Sequence, residues 1–171
     1  MRRKREMRRL ADALIDPIQV PVPADPEVLL AALVDSVSAW RGRRVVVRRE
    51  VFPPHTASGL WLEGETQDVV VVDQRAAVWH QLVIFCHEVW HMSRRQGDAA
   101  PAAGPPRPVA ARTDFSLADE QEADLFGMLM GRRLRTWLEA PVDPRAEGPE
   151  HGQDLAGRIG AALNYRGHRG R

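Results

Sequence analysis

A chain of 171 residues that is 44% apolar is the size of one ordinary domain and can bury a core, which excludes a wholly disordered protein. Lys and Arg total 24 against 23 Asp and Glu, so there is no overall charge for holding a polyanion. The single cysteine, Cys86, excludes a disulfide framework and a Cys-rich zinc finger, and no apolar run is long enough to span a bilayer.

In chain order, residues 1–15 read as a basic helix with a thin apolar stripe of Met7, Leu10, Leu14 and Ile15. No apolar stretch follows the basic start, so no secretory signal is expected. Of the 24 basic residues only Lys4 is a lysine, a bias of composition rather than a nucleic-acid footprint, and the Arg-rich ends read as solvated tails. Prolines 17, 21, 23 and 26 then hold the chain extended. Asp25-Pro26 has the form of a helix cap followed by proline at the first helical position. The helix it opens turns Val28, Leu29, Ala32, Leu33 and Val37 to one face and ends before Gly42. Three strands are expected at 44–51, 59–63 and 68–73, the last two joined as a hairpin through Gly64-Glu65-Thr66-Gln67. Val69–Val72 is apolar on both faces, which marks the third strand as central. A helix spans about 76–95, and a Pro-rich stretch at 97–112 is too broken for regular structure. Ser116 with Asp119 three residues on resembles a capping box, opening a helix to about 138. The remainder is rich in Pro, Gly and charge, with one weak helix at 154–163. The expected fold class is α+β: a small three-stranded antiparallel or mixed sheet packed against helices.

The sharpest chemical feature is His87-Glu88-Val89-Trp90-His91, an HExxH inside the 76–95 helix. At 3.6 residues per turn the two imidazoles share a face one turn apart and can point at one ion. Glu88 is rotated by about 100° from His87, beside that ion, where a carboxylate can act as general base. A further histidine six residues after His91 would mark one class of zinc protease, but that position is Gly97. The third ligand is therefore sought in the acidic start of the last helix, Asp119-Glu120-Gln121-Glu122-Ala123-Asp124. A carboxylate with a second one four residues on allows one to bind metal while the other holds a ligand histidine by its free N–H. Glu120 and Asp124 have that spacing, and Glu122 lies on roughly the opposite side of the helix. His80 is too far along the helix axis to join the same ion, and Cys86 reads as a small buried hydrophobe. Trp61, Trp79 and Trp90 read as packing, while Tyr165 and His151 are not singled out by spacing for an oxyanion role. The 59–73 hairpin offers a strand edge to an extended peptide.

HEVWH followed about thirty residues later by EQEADLFGMLM resembles the ImmA/IrrE family of small bacterial metallopeptidases. The resemblance covers about residues 27–138, with 1–26 as a basic helix and lead-in and 139–171 as a flexible tail. It departs at Met92-Ser93-Arg94-Arg95, at Gly127 and at Gly131. It implies a gluzincin-like α+β fold, Zn2+ held by His87, His91 and Glu120, and Glu88 as catalytic base. It also implies site-specific cleavage of a protein partner such as a helix-turn-helix repressor encoded nearby, in the setting of a mobile element or a toxin–antitoxin-like pair. The expected setting is cytoplasmic, without membrane or direct nucleic-acid binding. The alternative is a regulatory protein-binding module whose metal site is structural or vestigial.

Overall fold

The computed structural model describes residues 2–95 and 115–139, which belong to the first of the two units into which the chain divides, Met1–Glu139 and Ala140–Arg171. The 97–112 stretch, the weak helix at 154–163, His151 and Tyr165 lie outside the described residues. The elements run α1 (Arg2–Ile15), α2 (Pro26–Arg41), β1 (Arg44–Glu50), β2 (Gly59–Glu63), β3 (Gln67–Asp73), α3 (Val78–Arg95) and α4 (Leu117–Leu138). This is an α+β arrangement of four helices and one mixed sheet.

Local chemistry explains the boundaries. Asp25 caps α2 by accepting from the Glu27 amide at 2.8 Å, with Pro26 in the first turn where a missing N–H costs nothing. Gly42 ends the helix in the left-handed region, φ +71°, a conformation that a side chain disfavours. At α4, Ser116 and Asp119 complete a reciprocal capping box, Ser116 Oγ accepting from the Asp119 amide at 3.2 Å. The inward face of α2 differs from the expected one: Val28 is exposed, and Leu30 and Ser36 are buried beside Leu29, Leu33 and Val37. Ser36 turns inward because its hydroxyl donates to the Leu14 carbonyl at 2.7 Å, which satisfies the hydroxyl and ties α2 to the end of α1.

The sheet order is β1-β3-β2. The valine-rich β3 is central as its composition requires, parallel to β1 and antiparallel to β2, so β2 is an edge strand. Val70 and Val72 are buried in one core cluster with Val45 and Trp61, Leu82, Phe85 and Val89 of α3, and Leu33 and Val37 of α2. Each fully buried side chain of this size contributes about 1.5–3 kcal/mol of transfer free energy. One end of the sheet is held by a buried ion cluster. Arg41 at the end of α2 meets Asp68 of β3 and Glu63 of β2, both at 2.8 Å, and lies over the Trp61 ring.

Helix α1 belongs to this core: Met7, Ala11, Leu14 and Ile15 are buried. Its polar side is tied to α4 by Arg3–Glu122 and Arg133–Asp12, each 2.7 Å, and to α3 by Arg94–Glu6 at 3.4 Å. Helices α3 and α4 pack closely through Gly127 and Gly131. A methyl group at Gly127 would sit 3.0 Å from the Val83 carbonyl oxygen, and one at Gly131 would sit 3.0 Å from the Val83 side chain. The contacts step in opposite directions, from His87 opposite Asp124, through Val83 opposite Gly127, to Trp79 opposite Gly131, so the helices run antiparallel. Trp90 and Phe126, 5.2 Å apart, fill the other side of the same interface. No helix among the described residues is long and apolar enough to cross a membrane.

Candidate metal centre

Three side chains from two helices converge at the α3–α4 seam. His87 and His91, one turn apart on α3, place their Nε2 atoms 3.1 Å from each other. Glu120 in the first turn of α4 turns Oε2 to His87 Nε2 at 3.3 Å and Oε1 to His91 Nε2 at 3.4 Å. One donor atom from each of the three lies within 4.8 Å of the others. Two imidazole nitrogens and a carboxylate oxygen suit zinc, and three protein donors is the count that leaves a coordination position for a reacting molecule. With zinc bonds of about 2.0–2.1 Å and tetrahedral angles, neighbouring donor atoms lie roughly 3.3–3.4 Å apart, close to the 3.1 Å between the two imidazole nitrogens, while the two Glu120 oxygens each approach a different imidazole. The residues present fit the ion that their types imply.

The imidazoles are oriented from outside the cluster. His87 Nδ1 is 2.9 Å from Asp124 Oδ1, an arrangement in which Nδ1–H donates and the Nε2 lone pair faces the space shared with His91 and Glu120. His91 is buried and its ring stacks on Phe115, with centroids 3.9 Å apart. Close packing at Gly127 matters here, because His87 Cβ lies 3.7 Å from where a methyl group would stand. The capping box holds Asp119, next to Glu120, and the Ser116 hydroxyl and amide keep the Asp119 carboxyl below its usual range. Glu122 does not join the cluster; it faces away and pairs with Arg3.

Comparison with protein-family models, curated proteins and solved structures finds no match to this chain. The site therefore stands on its own geometry.

Glu88 lies outside the triad of donors, 4% exposed, between α3 and the first residue of β2. His80 is exposed on α3, a turn and more from the cluster. Cys86 is fully buried and burial pushes its thiol pKa up, in keeping with a packing role. Trp61 and Trp90 are buried in the core, and Trp79 packs against it. Leu125 and Met128 of α4 are each 54% exposed and line a groove of about 480 Å3 with Trp79, Val83 and Gly131. Two contributors had no signal in the sequence. Phe115 precedes its helix and reaches His91 only through the fold, and Gly59 has no side chain from which chemistry can be read.

Proposed function

We propose that this chain is a zinc-dependent endopeptidase of the kind that its ImmA/IrrE-like motifs imply, cutting a protein partner such as a helix-turn-helix repressor in the cytoplasm. The observation that carries the reading is the convergence of His87, His91 and Glu120 donor atoms at 3.1–3.4 Å. In this reading the three side chains hold Zn2+, which when bound acidifies water and polarises a carbonyl. Asp124 keeps His87 in the tautomer whose Nε2 is a lone pair. Glu88 takes the proton of the attacking water on its carboxylate and returns it to the leaving amine nitrogen. Beside it, edge strand β2 offers backbone N–H and C=O groups to an extended peptide.

The test is zinc content and cleavage together. Purified protein is expected to hold one zinc per chain, lost in His87→Ala, and to cleave a repressor encoded beside its gene, with Glu88→Gln loading zinc but failing to cut. Wild type without stoichiometric zinc refutes the metal centre. One observation favours a second reading, a protein-binding module with a structural or vestigial metal: Glu88, which must meet water to act as a base, is buried. That module predicts that Glu88→Gln keeps the full cellular effect on the partner.

A further inference from the structure

We propose that Gly59 is a positioning residue for Glu88: the missing side chain at the first position of β2 forms the seat in which the Glu88 carboxylate rests. The proposal deepens the peptidase reading and rests on it.

Glycine in a strand costs about 0.5–1 kcal/mol relative to alanine, so each strand glycine has to be explained by its backbone or its surroundings. Backbone does not explain Gly59. Among the described glycines only Gly42 has a positive φ, and a Cβ there would meet nothing within 4 Å. Gly59 is the opposite case: it is buried and paired in register with Val72 of β3, in a conformation open to any residue. A Cβ on it would lie 2.4 Å from Ile84 Cγ2 and 2.7 Å from Glu88 Oε1, with Glu88 Cγ at 3.4 Å. Its empty side is thus filled by the side chains at 84 and 88, one turn apart on α3. Of the described glycines it is the one whose missing Cβ is replaced by a carboxylate oxygen.

The position has consequences for the proposed base. Glu88 leaves α3 at about 100° from His87, so its carboxylate must lean over the helix to serve the His87–His91–Glu120 cluster. The Gly59 backbone limits it on the sheet side. An alanine there would force the carboxylate off this seat, and misplacing a reacting group by about 1 Å can cost on the order of 100-fold. The same strand edge would carry the substrate, so the peptide backbone and the base take their positions from one residue.

Acetohydroxamate on zinc-loaded protein is a suitable probe, because it chelates as the anion, and a carboxylate beside the metal strengthens binding by taking up the released hydroxyl proton and hydrogen-bonding the bound oxygen. Its Kd is measured across pH for wild type, Gly59→Ala, Gly59→Ala/Ile84→Ala and Glu88→Gln, alongside zinc affinity. Gly59→Ala is expected to weaken acetohydroxamate by at least about tenfold, to flatten its pH dependence toward that of Glu88→Gln, and to leave zinc affinity within about twofold. Adding Ile84→Ala removes the overlap with Cγ2 but not the overlap with Glu88, so it should not recover the probe. In metal-free protein, Glu88→Ala should restore part of the stability lost on Gly59→Ala, because it removes the overlap with Oε1. The proposal is overturned if Gly59→Ala binds acetohydroxamate as wild type does, or if Ile84→Ala restores probe binding. Wild type that binds no zinc would instead defeat the underlying reading, and the two failures are separated at the first measurement.

Discussion

Removing the Asp124 carboxylate isolates what the outer support of the cluster contributes, since Asp124 touches His87 without being a donor to the proposed metal. The His87 Nδ1–Asp124 Oδ1 contact is 2.9 Å, within charge-assisted hydrogen-bond range. Partners of this kind change metal affinity by about 10–100-fold, roughly 1.4–2.7 kcal/mol. Here the Asp124 side chain is 69% exposed against 16% for His87, so solvent screens its charge and the lower end applies. Asp124→Ala is therefore expected to weaken zinc by about tenfold. Asp124→Asn keeps an oxygen acceptor for Nδ1–H and loses only the charge, for about two- to threefold. Because the screening length falls from about 10 Å at 0.1 M salt to about 3 Å at 1 M, the Asn deficit should shrink at high salt while most of the Ala deficit persists. Competition titration of zinc against a chelator at both salt concentrations measures all four quantities. Zinc affinity unchanged within twofold in Asp124→Ala would refute the claim that this carboxylate orients a ligand.

Three other outcomes follow from the fold. Gly127→Ala gains about 1 kcal/mol of helix propensity but overlaps the Val83 carbonyl, a backbone atom, at 3.0 Å, so urea unfolding should show net destabilisation of about 1 kcal/mol with weaker zinc binding as α4 is pushed outward. Asp68→Ala strands Arg41 beside the part-exposed Glu63 and should cost about 3 kcal/mol, more than replacing Arg41 and Asp68 together by leucine, as read from urea midpoints. Asp73, whose carboxyl is held below its usual range by hydrogen bonds from the Arg75 side chain and amide, gives a pH signature. A lowered folded pKa adds stability that is present above the ordinary aspartate value of about 3.9 and lost as pH falls through the folded value. Asp73→Asn should flatten that acid limb of the stability curve, and an unchanged limb would contradict the assignment.

What was legible in the sequence is what short-range chemistry controls. The caps at Asp25 and Ser116 use side chains two or three residues from their partners, and the valine run of β3 marks a central strand, although only Val70 and Val72 are fully buried while Val69 and Val71 on the other face are partly exposed. Glu120 and Asp124 share a helix face because four residues make about one turn, and the structure turns both toward His87. Less legible was everything that depends on which element comes to lie beside which. Helical period identifies an apolar stripe on α1 but not that the helix docks and shares its charges with α4. Val28 is apolar yet faces water, and Ser36 is polar yet faces in because its neighbour there is the buried Leu14 carbonyl at the end of α1. Leu125 and Met128 stay outside because the close α3–α4 contact is made by glycines. Gly59 is the limiting case, where the contribution is the space left by an absent side chain.

The central claim is that His87, His91 and Glu120 together hold one zinc ion, and zinc-edge anomalous diffraction from crystals of the zinc-loaded protein tests it most directly. A single peak within about 2.0–2.2 Å of His87 Nε2, His91 Nε2 and a Glu120 oxygen is the result this account predicts. Zinc bound elsewhere on the chain, with the two imidazoles hydrogen-bonded to each other and to Glu120 across an ion-free seam, would contradict it.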